Sequence, residues 1–297
     1  MPRKCKLISL LSNKGGVGKT TIATGLAACL AQLSPGENVV VVDCDPGSRT
    51  TSMLLGQGAT MPRHDIFDYF NDPSVFPEDV VVRSSVLPNL LLIPNTRGSE
   101  LHPRLKNKDL IRKKLTLLLE FLDEHASYAV VDLPAGKTSL HFFFAMISTC
   151  YLVVKPTKDS LLAADEIVVT MSNLAMKVLK SDERLIDGVI ANAVIRGEEN
   201  KVVNYFRQKH DLDVVTIVPH SPGVEEAIES WKILTIYRPE DPAAVAIRQL
   251  AGKVAERENW ETLQMHESRD RRRGRWVDAL RNIPRRAGAV LKGIIRS

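Results

Sequence analysis

Lys14-Gly15-Gly16-Val17-Gly18-Lys19-Thr20-Thr21 decides the fold of this chain. The residues before it, Cys5 to Ser12, form an apolar run of strand length. Those after it, from Thr20 to about Leu33, are rich in Ala and Leu and read as a helix. A glycine-rich turn between a strand and a helix N-terminus is the setting of a phosphate-binding loop. The glycines let successive backbone N–H groups turn inward around an anion. The helix N-terminus adds unpaired N–H groups and the positive end of its dipole. Lys19 is placed to neutralise the β- and γ-phosphates, and the Thr20 hydroxyl to ligate Mg²⁺.

A simple phosphate-binding loop has no use for a lysine at position 14. The run resembles the deviant Walker A motif of the MinD/ParA family, which also includes the nitrogenase iron protein and arsenite-pump ATPases. By that resemblance Lys14 reaches across a dimer interface to the partner's nucleotide. ATP would then lie between two subunits, and its binding would drive formation of a homodimer. Lys14, Gly15, Gly16, Val17, Gly18, Lys19, Thr20 and Thr21 are the expected nucleotide contacts, with Lys14 and Lys19 catalytic.

A second constellation is Val39-Val40-Val41-Val42-Asp43-Cys44-Asp45-Pro46-Gly47, a buried strand ending in two carboxylates. Ligands of open α/β sheets sit at the carboxyl ends of strands, where such a pair can handle a magnesium-bound or attacking water. An Asx turn at a strand end is the other reading. The segment resembles the family's Asp-x-Asp-Pro switch I. The resemblance makes Asp45 the residue that positions or activates water and Asp43 a support of the switch and the magnesium shell. The family's ParA members carry Gln after the proline; here it is Gly47, followed by the polar run Ser48-Arg49-Thr50-Thr51-Ser52. A third segment, Tyr128-Ala129-Val130-Val131-Asp132-Leu133-Pro134-Ala135-Gly136, is an apolar strand ending in Asp. That is a Walker B arrangement, with Asp132 holding a magnesium-bound water, and Asp-x-Pro-Ala-Gly resembles the MinD branch. The backbone after Asp132 would sense the γ-phosphate as switch II.

Two later segments extend the resemblance over most of residues 5 to 257. Val189-Ile190-Ala191-Asn192 is similar to the strand whose Asn contacts adenine in some members; Asn192 reads equally as a strand-end turn residue. Val218-Pro219-His220-Ser221-Pro222-Gly223 resembles the late proline loop near the base, and implicates Pro219. Around these motifs, apolar strand candidates (Cys5–Ser12, Val39–Asp43, Leu90–Pro94, Tyr128–Leu133, Cys150–Lys155, Gly188–Asn192 and Val214–Val218) alternate with helix candidates. The helices fall near Lys106–Glu124, Leu161–Leu179, Val202–Lys209 and Pro242–Arg257. The alternation predicts an α/β fold with a doubly wound, mostly parallel sheet flanked by helices. Gly56 to Pro88 reads as loops with a short helix.

The 297 residues are 44% hydrophobic and 25% charged, as in a soluble globular enzyme. No apolar run approaches a membrane span, and the N-terminus has no signal-peptide pattern, so a cytoplasmic protein is expected. The four cysteines, Cys5, Cys29, Cys44 and Cys150, are far apart in apolar segments, and buried free thiols are the expectation. Charge is concentrated at the C-terminus. From His266 to Ser297 there are nine arginines and one lysine against three acids, a net +7, which leaves −2 for the rest of a chain whose total is +5. Residues 1–262 are therefore read as the ATPase domain and 263–297 as a basic amphipathic tail. In the tail Trp276, Leu280, Ile283, Ala287, Val290, Leu291, Ile294 and Ile295 recur at helical spacing. Such a tail fits an anionic membrane surface, as does the C-terminal targeting helix of MinD, which it resembles. Nonspecific DNA and a docking protein remain open for Arg271–Ser297.

The expected activity is ATP hydrolysis with Mg²⁺, stimulated by a ParB-like or MinE-like activating protein. Its purpose would be to position a plasmid, chromosome, division site or other assembly. The alternatives are a DNA-binding ParA-type partition ATPase and a metal-handling or electron-transfer ATPase of the iron-protein type. The last needs a cysteine pair that can meet across a dimer. A tyrosine autokinase is disfavoured because the last tyrosine is Tyr237, and a small-molecule ligase of the wider class would lack Lys14.

Overall fold

The computed structural model describes residues 5–56, 59–96, 107–179 and 184–256. The tail, with Arg271–Ser297 and the boundary at 262, lies outside the described residues. Eight strands form one sheet: β1 (Lys6–Ser12), β2 (Val39–Asp43), β3 (Val82–Arg83), β4 (Leu90–Ile93), β5 (Tyr128–Ala135), β6 (Thr149–Val154), β7 (Gly188–Val194) and β8 (Val214–Pro219). Their spatial order is β3-β4-β2-β5-β1-β6-β7-β8. All neighbours are parallel except β3 with β4. The sheet is therefore doubly wound and mostly parallel, as the alternation of apolar runs predicts.

Parallel strands need crossovers, and these are the helices. They are α1 (Lys19–Leu33), α2 (Thr50–Gly56), α3 (Ile66–Asn71), α4 (Lys108–His125), α5 (Ser139–Ile147), α6 (Lys158–Leu174), α7 (Glu199–His210), α8 (Pro222–Glu229), α9 (Leu234–Tyr237) and α10 (Pro242–Glu256). Side chains of β1 show how the sheet is covered on both faces. Leu7 and Leu11 enter one apolar core with residues of α3 to α7, while Ile8 and Leu10 enter the opposite core with α1 and α10. Burial on both sides explains why β2 reads as an uninterrupted Val run. α1 is buried from Ile22 to Ala31. Its small residues permit close approach: a Cβ on Gly25 would stand 3.2 Å from side-chain atoms of Ile247 and Thr235.

Several boundaries differ from the sequence expectation. α6 starts at Lys158 rather than Leu161, because its first residues, Lys158, Asp159 and Ser160, are polar and leave no apolar mark. Its regular part stops at Leu174, and Ala175–Leu179 continues as a wider, π-helical turn. α5 has no counterpart among the sequence-derived helices. Its nine residues are almost all apolar, so burial on every side erases the helical period. The stretch from Gly56 to Pro88 holds the short helix α3, a 3-10 turn at Pro77–Asp79 and the two-residue edge strand β3. All four cysteines are buried free thiols. Among the described residues no helix is long and apolar enough to cross a membrane.

Candidate nucleotide-binding site

The strand order brings three separate sequence motifs to one place. β5 lies between β2 and β1, with Asp43 opposite Asp132 in one ladder and Leu10 opposite Asp132 in the other. The carboxyl ends of β1, β2 and β5 thus stand side by side. The loop after β1 turns on Gly16 (φ 72°) and Gly18 (φ 97°), both in the left-handed region where glycine costs least. Gly15 and Gly16 are exposed and Val17 is buried, which anchors the loop by its middle. Gly18 precedes α1 and offers no side-chain cap, so the first N–H groups of the helix stay available to an anion.

Lys19 is buried, and its Nζ donates to Ser12 Oγ at 2.9 Å. Desolvation lowers its pKa, opposed by the charges of Asp132 and Asp45. Thr20 Oγ1 and Thr51 Oγ1 both donate to Asp132 Oδ2, at 2.7 and 2.6 Å. The other carboxylate oxygen, Asp132 Oδ1, is buried without a hydrogen-bond partner. Desolvation raises the Asp132 pKa, and Lys19 counteracts it. Asp43 is also buried; its pKa is raised well above the usual range by desolvation and then by Asp132. Its carboxylate accepts from Ser52 N, Ser52 Oγ and Asp45 N. Two buried carboxyls, one with an orphaned oxygen, fit a magnesium ion beside the Thr20 hydroxyl. Among the described residues no cluster of three His, Cys, Asp or Glu could cage a metal alone.

Asp45 is half-buried, and its Oδ1 accepts from Gly47 N at 2.9 Å, so the Asx turn is present beside the acidic pair. Lys14 lies at the rim, its side chain 42% exposed, and pairs with Asp159 at the start of α6. Thr21 follows on the first turn of α1. Asn192, near the end of β7, donates from Nδ2 to Val17 O at 2.7 Å. A register shift after it, with Ala193 at φ 55°, re-aims the strand end toward the loop. Asn192 also fills the space behind Gly18, where a Cβ would fall 2.0 Å from Nδ2. Pro219 ends β8 opposite Val194. Both therefore lie at the carboxyl end of the parallel strands, as the loop does.

Sequence reasoning missed four partners. Ser12, which takes the Lys19 amine, and Thr51, which takes Asp132, were visible only as polar ends of recognised motifs. Asn95 follows β4 and donates from Nδ2 to Asp45 O (2.6 Å) and Ser48 O (3.0 Å). His141, fully buried on α5, had no signal beyond a lone histidine in an apolar run. Its Nε2 donates to Pro134 O at 2.8 Å, and its Nδ1 accepts from Thr138 N at 3.1 Å. It thereby ties both ends of the loop after Asp132. Burial lowers its pKa to about 4. An unfolded histidine takes up a proton near pH 6.5, and the folded one does not until about 4, so acid favours the unfolded chain across that window. Stability should fall by about 3 kcal/mol from this group between pH 7 and pH 4. Urea unfolding of the parent and His141→Gln at both pH values isolates the effect; an equal pH slope in the two would remove it.

The sheet, the glycine loop at the amino end of α1 and the flanking carboxylates define a P-loop nucleotide-binding protein of the doubly wound class. The model of the CobQ/CobB/MinD/ParA nucleotide-binding domain matches residues 8–234, and the chain belongs to that family. It is similar to the sporulation initiation inhibitor protein Soj of Bacillus subtilis, 29% identical over 84% of this chain and 98% of Soj. It is also similar to the septum site-determining protein MinD of Thermotoga maritima, 26% identical over 73% of this chain and 76% of that one. The solved structure of MinD with Mg-ADP from Pyrococcus horikoshii superposes with a TM-score of 0.63 at 23% identity, covering 84% of this chain and 96% of that one.

Proposed function

We propose that this chain is a dimerising, Mg²⁺-dependent ATPase of the MinD/ParA type that positions a cellular cargo by nucleotide-controlled binding to a surface. One observation carries the reading. Lys19, Thr20 and the orphaned Asp132 oxygen converge at the loop, while Lys14 stands exposed at its rim. Lys19 exchanges its Ser12 contact for the phosphates. Thr20 and Asp132 would hold magnesium, which neutralises phosphate charge when bound. Asp45 orients the water that attacks the γ-phosphate and yields ADP and phosphate. Asn192 and Pro219, at the carboxyl end of the strands as the loop is, are proposed to border the base.

Lys14 is proposed to leave Asp159 and reach the nucleotide of a second copy. An exposed ion pair stabilises by only ~0–1 kcal/mol, so its exchange costs little. A ParB-like or MinE-like protein is the proposed activator. The proposed surface is an anionic membrane, met by the tail of residues 263–297 from the cytoplasmic side. Burying Val290, Leu291, Ile294 and Ile295 contributes ~1.5 kcal/mol or more each, and each basic residue near the bilayer about 1 kcal/mol. Ordering a dozen residues offsets much of this at roughly 1–2 kcal/mol each. One tail then binds marginally and two tails on a dimer bind by avidity. The Arg271–Arg275 run keeps a ParA-like DNA surface as the second reading. The iron-protein type is disfavoured, because it needs a cysteine pair at a dimer surface and all four cysteines are buried within the chain.

Sedimentation with anionic liposomes or nonspecific DNA, each with ATP or ADP, tests the proposal. Binding to liposomes with ATP is expected, and loss of it in Lys14→Ala and in Ile294→Glu/Ile295→Glu. Salt-sensitive DNA binding with no liposome binding would replace the membrane by DNA. Binding to neither surface would replace it by a protein.

A further inference from the structure

We infer that Asn95 is a positioning residue for hydrolysis, holding loop 45–48 so that the Asp45 carboxylate stays in reach of the phosphate site. The inference rests on the ATPase reading and adds a residue to it. Asn95 follows β4, which β2 and β5 separate from the strand of the phosphate loop, and is fully buried. A buried amide must find partners, but this one spends its side-chain donor on one short loop. Nδ2 donates to Asp45 O at 2.6 Å and to Ser48 O at 3.0 Å, the two ends of that loop.

The backbone of Asn95 extends the same network. Its N–H donates to Ser52 Oγ at 2.9 Å, and Ser52 Oγ in turn donates to Asp43 Oδ2 at 2.6 Å. An unbroken chain of hydrogen bonds thus joins the Asp43 carboxylate to the backbone of Asp45. The loop's own bonds are few: Asp45 Oδ1 with Gly47 N at 2.9 Å, and a long Ser48 N to Asp45 O contact at 3.4 Å. Gly47 in the middle widens its conformational freedom. The loop starts beside the phosphate site, because β2, which ends at Asp43, pairs with β5 and sets Asp43 opposite Asp132. Displacing a reacting group by about 1 Å can cost on the order of 100-fold in rate. An external brace on a glycine-containing loop prevents that displacement.

A double-mutant cycle separates positioning from a structural role. Asn95→Ala and the near-isosteric Asn95→Leu are made alone and with Asp45→Ala. Single-turnover release of γ-phosphate, ATP binding and thermal unfolding are measured on the full chain. Asn95→Ala should hydrolyse about 100-fold more slowly, with ATP affinity within about threefold of the parent, and Asn95→Leu should match it. In the Asp45→Ala background neither should slow hydrolysis further. A parental rate in the Asn95 variants, or the same loss with and without Asp45, would overturn the inference alone. So would a joint loss of ATP binding and folding in both variants. A parental rate in Asp45→Ala would overturn the ATPase assignment of Asp45 and this inference with it.

Discussion

Asp45→Ala should hydrolyse ATP about 100- to 10,000-fold more slowly, the usual range for removing a positioned general base, and still bind it. The variant keeps the Lys19–Ser12 and Thr20–Asp132 hydrogen bonds, neither of which involves Asp45. Bound ATP that is not consumed should trap the dimer. Light scattering at micromolar concentration should then show dimer with ATP and monomer with ADP. Asp45→Asn is the control for local structure, because its amide oxygen can still accept from Gly47 N and keep the turn. It should melt like the parent and be as inactive as the alanine variant. Monomeric Asp45→Ala with ATP would count against a nucleotide shared between two subunits.

Lys19→Ala should weaken ATP binding by about 100-fold or more. Truncating one partner of a buried, hydrogen-bonded charge pair costs about 2–5 kcal/mol, and 1.4 kcal/mol is tenfold. Part of the loss falls on the protein itself. Lys19 opposes the desolvation that raises the Asp132 pKa, and without it that carboxyl shifts further toward its neutral form. A fluorescent-nucleotide titration in Mg²⁺ checks the result, and parental affinity would refute the phosphate site. Arginine is no substitute at this position. Its planar fork cannot occupy the compact space in which Nζ meets Ser12 Oγ.

How much of this was legible in the chain depends on how local each signal is. Strand, loop and helix around residues 5–33 were readable because glycine, lysine and the apolar periods are short-range facts, and β1 and α1 lie within a residue of expectation. The same holds for Val39–Asp43, whose bounds are unchanged. α5 was not readable, since a helix buried all round has no amphipathic period. Asn95 and His141 were not readable either. Their meaning lies in acceptors 47 to 50 positions away for Asn95 and in both ends of a loop for His141.

Read alone, the chain specifies the class of sheet and the glycine loop, and marks the strands that end in Asp43 and Asp132. It does so because backbone freedom at glycine, helix dipoles and hydrophobic period act over a few residues. Which of these groups meet depends on the order in which the strands assemble. Insertion of β5 between β2 and β1 sets Asp43 beside Asp132. Thr51 reaches across 81 positions to Asp132, Asn192 reaches across 175 to the loop, and Lys14 comes to rest on Asp159. Such distances along the chain close only when the sheet orders its strands. The burial that follows is also what leaves one Asp132 oxygen without a hydrogen-bond partner.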